Sequence, residues 1–157
     1  MESNDTRDHP GVIAFPPLIW LVCAVISGLV HFVSPSRIMS YGVALPIGIA
    51  LAVMAPSLAL WALLVMKAAG TNVNPSAPAL TIVRNGPYRF TRNPMYLALC
   101  VLQVALGFLL DDWIALLFVI PLALVLHYGV ILREERYLEA KFGDQYRALM
   151  RDVRRWI

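Results

Sequence analysis

The sequence predicts an all-α, polytopic membrane protein: about four transmembrane helices, a cytoplasmic loop and an amphipathic C-terminal helix. Three observations carry this. Hydrophobic residues make up 59% of the 157 positions and charged residues 15%, against about 45–50% and about 25% in an ordinary soluble domain. The apolar residues fall in four long runs rather than at scattered core positions. The basic residues fall almost entirely between and after alternate runs. A chain this short cannot hide so much apolar surface from water, and its mean hydropathy of +0.68 makes a bilayer the expected solvent.

The elements follow in order. Residues 12–33 are 22 positions without a charge. That meets the requirement of about 20 apolar residues for a span, and Pro16-Pro17 suits a helix start, where a missing N–H costs nothing. Its flank carries Glu2, Asp5 and Asp8 against Arg7, the wrong sign for a signal peptide. Residues 44–66 form a second uncharged run, in which Pro56 predicts a kink. Residues 93–110 form a shorter third run, and Asp111-Asp112 reads as a minimal polar turn into the fourth, 113–132. The segment 67–92 is long for a membrane hairpin, and long loops are commonly functional. Its Gly70, Pro75 and Pro78, followed by β-branched Thr81-Ile82-Val83, predict an ordered, irregular segment on the membrane surface. From 133 to 157, Tyr137, Leu138, Phe142, Tyr146, Leu149 and Val153 recur at helical spacing. Gly143 is expected to close one helix and Asp144 to cap the next.

With the N-terminus inside, twelve of the 13 Lys and Arg lie on the inner side and Arg37 alone lies outside. This asymmetry orients both termini and the long loop to the cytoplasm. It also explains the net charge of +3, so a nucleic-acid partner is not required. Cys23 and Cys100 sit inside apolar runs and read as small hydrophobes, not as a disulfide or metal framework. No residue spacing suits a metal, a phosphate-cradling loop or a Ser/His/Asp nucleophile.

Two stretches carry candidate chemistry. In Asn85-Gly86-Pro87-Tyr88-Arg89-Phe90-Thr91-Arg92-Asn93-Pro94-Met95-Tyr96, Asn93 and Pro94 are placed as N-cap and first residue of a helix. The free N–H groups of its first turn, with Arg92 beside them, suit an anion, and Tyr88 and Tyr96 offer aromatic surface. The same residues also suit a membrane-interface belt. At the end of the fourth run, Glu134-Glu135 lies between Arg133 and Arg136. One carboxylate there can accept from paired hydroxyls as acidic residues do with ribose, or the four can form a solvated charge cluster of little consequence. His31 and His127 are ionisable groups within apolar runs, which carry a functional hypothesis by default.

The segment 80–96, followed by Glu134-Glu135 and Phe142-Gly143-Asp144-Gln145-Tyr146, resembles the isoprenylcysteine carboxyl methyltransferase family and its phospholipid methyltransferase relatives. These are integral membrane enzymes that use S-adenosyl-L-methionine. The resemblance covers about residues 70–155. It implies cofactor binding by Gly86-Pro87-Tyr88 and by Arg92, Asn93, Pro94, Met95 and Tyr96. It also implies contacts from the strip Leu80, Thr81, Ile82 and Val83, and from Glu134, with Glu135 completing the pair. Catalysis would then rest on Glu134, Glu135 and Arg92. Two positions depart from the pattern: Asn93 stands for a family His, and Val130 stands where the prenylcysteine enzymes carry an Arg for the substrate carboxylate.

The implied reaction is methyl transfer to a lipophilic or small acceptor, a carboxylate, amine or thiol, reached from the membrane lipids. An amine acceptor needs a base, for which Glu134, Glu135 and His127 are candidates. The alternatives are an NADPH-dependent reductase of the sterol or steroid reductase type, similar in its C-terminal half, and a non-enzymatic membrane adaptor.

Overall fold

The computed structural model describes residues 9–75 and 77–157; the acidic flank of Glu2, Asp5, Arg7 and Asp8 lies outside them. Among the described residues the regular structure is entirely helical. Helix α1 (Pro16–Val33) begins on its proline pair. Helix α2 (Tyr41–Ala68) begins earlier than the apolar run suggests and continues through both Pro46 and Pro56. A 3-10 turn (Gly86–Arg89) precedes α3 (Pro94–Leu109). The fourth apolar run and the first ten residues of the predicted tail form one continuous rod of α4 (Trp113–Leu117), α5 (Val119–Leu126), a π-helical turn (His127–Ile131) and α6 (Leu132–Phe142), so the helix continues past the expected end of the run at 132. Helix α7 (Asp144–Asp152) closes the chain.

Three of these are long and apolar enough to cross a membrane: Pro16–Val33, Tyr41–Ala68 and Trp113–Phe142. The chain is therefore a membrane protein. The third apolar helix has 16 residues, a length of about 24 Å against a hydrocarbon core of about 30 Å. It packs along α2 and, through the tight turn, against α4.

Small residues allow the close packing. The buried positions of α2 are Ala44, Gly48, Ala55 and Ala62, and a Cβ on Gly48 would lie 2.8 Å from the Leu109 nitrogen. Between membrane helices, where apolar contact alone gives little drive, such close backbone approach supplies the dispersion energy. A Cβ on Gly107 would lie 2.6 Å from Leu116 Cα, so the α3–α4 hairpin closes only over glycine. Tyr96, Cys100, Leu122, Leu126, Val130 and Ile131 form the buried apolar cluster where α3 meets the rod. Both cysteines are free thiols.

The Asp pair is more than a turn. Asp111 takes the left-handed backbone (φ 50°) and accepts from the amides of Ile38 and Met39. Asp112 is fully buried and caps α4 by accepting from Ile114 and Ala115. It also accepts from the Ser36 amide and pairs with His31 Nδ1, both at 2.8 Å. The two carboxylates thus tie the α1–α2 connection to the α3–α4 hairpin. The tail also departs by one residue from expectation. Gly143 (φ 54°) both ends α6 and caps α7, while the Asp144 side chain turns to Arg147.

Candidate functional site

The loop between α2 and α3 folds back over the end of the rod. Gly86 makes this possible: it adopts φ 58°, and a Cβ there would lie 2.7 Å from Val65 Cγ2 and 3.2 Å from Trp61 Nε1. Its position against α2 places Tyr88 and then the start of α3. The Ala79 amide donates to the Tyr137 hydroxyl on α6, and the Leu80 amide donates to Thr71 Oγ1. Arg84 reaches Asp152 and the Gln145 carbonyl on α7. Its described residues are irregular apart from the 3-10 turn, held by α2 on one side and by α6 and α7 on the other.

Beneath it lies a cleft of about 890 Å³, counting the part open to solvent. Thr81, Ile82, Val83, Tyr88, Arg92, Asn93, Pro94, Met95, Tyr96, Glu134 and Glu135 all line it. The chain thus brings these positions together from three separate segments, while Gly86 and Pro87 of the implied set do not line the cleft and Gly86 packs on α2 instead. Leu80, at the edge of the strip, is exposed and lies outside the lining.

The electrostatics divide the two adjacent glutamates. Glu135, 9% exposed, accepts from Arg92 Nη2 at 3.0 Å. It also takes Arg155 in a two-pronged bond, with Nη2 to Oε2 at 2.7 Å and Nε to Oε1 at 3.0 Å. Its partners are therefore not the neighbouring Arg133, which donates to the Gly11 carbonyl, nor Arg136, which donates to the Leu132 carbonyl. The pair is no solvated cluster. Glu134 pairs with no cation among the described residues; the Tyr96 hydroxyl donates to its Oε1 at 2.7 Å.

Arg92 is 8% exposed and uses one nitrogen on Glu135. Its Nε and Nη1 are buried and meet no acceptor, and the Tyr88 hydroxyl is buried without a partner as well. Buried donors are normally satisfied, and leaving one bare costs about 1–3 kcal/mol, more for a charged group. Burial, with Glu134 nearby, holds the Tyr88 hydroxyl above the usual phenol range, so it stays a neutral donor. Burial does the same to Tyr146, which also lines the cleft.

Asn93 does cap α3 in position, with Pro94 as the first helical residue, but its side chain makes no capping bond. Its Nδ2 donates instead to the Arg155 carbonyl at 2.9 Å. His127 lies outside the cleft lining and accepts from Trp156 Nε1 at 3.3 Å. Of the other candidate bases, Glu135 is gripped by two guanidiniums.

Comparison with known proteins fits this geometry. The sequence profile of the phospholipid methyltransferase family matches residues 43–145. The chain belongs to that family. Membership implies a methyltransferase. The matched region runs from α2 into α7 and so includes every segment that lines the cleft except Pro10, at its N-terminal edge, and Tyr146 and Leu149 on α7. An uncharacterized protein of Haemophilus influenzae is 46% identical over 63 residues, which are 40% of this chain and the whole of that protein.

Several residues of this phospholipid methyltransferase family member escaped the sequence reading. Thr71, Asn72 and Asn74 line the cleft from the start of the loop, where only polarity marked them. Arg155 counted as one inner-side cation among twelve. Its bond to Glu135 spans 20 residues, and no local pattern announces it.

Proposed function

We propose that the protein is an S-adenosyl-L-methionine-dependent methyltransferase whose acceptor is a lipid or other lipophilic molecule entering from the bilayer. The observation that carries the reading is the set of buried, unpartnered donors, Arg92 Nε and Nη1 and the Tyr88 hydroxyl, in one cleft with a carboxylate that meets no described cation. A ligand bearing both a carboxylate and cationic or hydroxyl groups answers both needs.

Arg92 would hold the cofactor carboxylate, with charge-assisted bonds from the two bare nitrogens. Glu134 would accept from its hydroxyl or amine groups, oriented by Tyr96. Thr81, Ile82, Val83, Met95, Asn93 and Pro94 would form the walls against which it packs. Glu135 holds Arg92 in place. When bound, the cofactor supplies a sulfonium methyl for in-line displacement by a nucleophile. The residues' contribution is then position, for which effective molarity can supply about 7–11 kcal/mol, and exclusion of water. An amine acceptor would give its proton to Glu134, the one carboxylate of the pair not neutralised by arginine. The family's phospholipid acceptors and the apolar spans support a lipid-borne group, and the Lys and Arg asymmetry supports a cytoplasmic cleft and cytoplasmic termini.

An NADPH reductase is less well supported. A 2′-phosphate asks for clustered cations, and Arg92 is the only cation among the cleft-lining residues. Arg84, Arg147 and Arg155 are engaged by Asp152, by Asp144 and Glu139, and by Glu135.

The test is calorimetric titration of the detergent-purified protein with S-adenosylhomocysteine and, in parallel, NADPH. Saturable binding of the first alone is expected and would justify a lipid acceptor screen. Binding of NADPH alone would move the protein to the reductases, and binding of neither by folded protein would leave a membrane adaptor.

A further inference from the structure

The family match stops at residue 145, yet residues 153–157 run directly beside the start of α3. The Arg92 amide donates to the Arg154 carbonyl at 3.0 Å. The Thr91 hydroxyl and Asn93 Nδ2 both donate to the Arg155 carbonyl. Trp156 stacks on the His127 ring at a centroid distance of 6.4 Å and packs against the buried apolar cluster. The end of the chain is thus docked by backbone bonds and an aromatic anchor, and this places one side chain, Arg155, on Glu135.

The consequence is electrostatic. Arg92 and Glu135 alone would form a neutral, self-satisfied pair, and a buried guanidinium facing one carboxylate favours the two-pronged geometry. Here the two-pronged geometry belongs to Arg155, whose side chain is more exposed (36%) than that of Arg92 (8%). Arg92 is left with a single bond to Glu135 and two bare nitrogens. Two guanidiniums share one carboxylate, so the cluster keeps one net positive charge, and the unused donors are on the buried arginine.

The geometry points to Arg155 as a positioning residue. By occupying Glu135 it keeps Arg92 electropositive and open to the carboxylate of an incoming ligand. This rests on the cofactor reading given above and adds a residue, and a reason for the docked C-terminus, that the family match does not reach.

The experiment compares the affinity of the full chain, in detergent, for S-adenosylhomocysteine and for its decarboxylated analogue. The proteins are wild type, Arg155→Met, Arg155→Lys and the double variant Glu135→Gln/Arg155→Met. Arg155→Met is expected to lose about tenfold or more in affinity for S-adenosylhomocysteine and to bind the analogue as wild type does. Arg155→Lys, which keeps the charge, should retain most of the affinity. The double variant, in which the carboxylate is gone along with the arginine, should recover it, and it also answers the question if Arg155→Met alone does not fold. Hydrogen exchange at the Arg92 amide should stay slow throughout, since its acceptor is the backbone carbonyl of Arg154. Equal loss for both ligands would mean that Arg155 only holds the structure together, and it would overturn the proposal. So would unchanged affinity in Arg155→Met, or a double variant no better than the single one. Failure of the wild type to bind either ligand would instead overturn the cofactor reading, and this inference with it.

Discussion

Two polar clusters sit in this helical bundle, one at each end of α3, and they are built to opposite rules. At the Asp111-Asp112 turn the carboxylates are saturated: Asp112 takes two helix-capping amides, the Ser36 amide and His31, and Asp111 takes two amides of the α1–α2 connection. At the Arg92 end, three buried polar atoms on Arg92 and Tyr88 are left without partners. A saturated buried cluster offers nothing to a ligand and adds only rigidity. An unsaturated one carries an energetic deficit that a ligand of complementary chemistry removes. Satisfaction, more than residue type, separates the staple from the site.

That contrast can be broken or sharpened by substitution. The largest stability effect belongs to the staple. Asp112→Ala should cost about 3–5 kcal/mol, because it strands His31 and three backbone amides, while the folded fraction still binds S-adenosylhomocysteine. Thermal unfolding followed by tryptophan fluorescence checks the first part and calorimetry the second. Arg92→Met should show the reverse pattern. Affinity should fall by a factor of about thirty or more, with little change in melting temperature, since the arginine is already incompletely satisfied. A loss of stability as large as that of Asp112→Ala would erase the distinction.

Glu134→Gln comes next. It keeps the shape and the bond from Tyr96 but removes the charge, and a drop in affinity of about tenfold is expected; unchanged binding would take Glu134 out of the site. Gly86→Ala tests the hinge between α2 and the loop. Its left-handed φ and the crowding by Val65 should cost about 1–3 kcal/mol, and affinity should fall with it because Tyr88 follows two residues on. The smallest effect is expected at Arg147→Ala, whose exposed pairs with Asp144 and Glu139 should leave both melting temperature and affinity unchanged.

Local pattern made much of the molecule legible. Apolar runs, proline pairs and cation placement are properties of contiguous sequence, and they located α1, α2, α3 and the start of the rod to within a few residues, while the rod's end at Phe142 lies ten residues past the apolar run. The Arg92–Tyr96 stretch and Glu134 were visible because the residue types themselves suggest anion and hydroxyl binding. Other features were not legible. The spacing rules treat Glu134 and Glu135 as equivalent neighbours, but on a helix adjacent residues point about 100° apart, and only packing decides which one meets Arg92. The Asp pair looked like a turn because its partners, His31, Ser36, Ile38 and Met39, lie more than 70 residues away.

The sequence by itself determined that this chain lives in a membrane, where its helices run and which short stretches carry recognisable chemistry, since hydropathy and helix-start signals act over one or two turns. Only the tertiary structure decided which carboxylate is neutralised by arginine and which meets only the Tyr96 hydroxyl, that the docked C-terminus brings Arg155 to Glu135, and that donors on Arg92 and Tyr88 are left bare. Those outcomes depend on which distant groups reach each other first and saturate each other's hydrogen bonds, a competition settled in three dimensions and without a local signature.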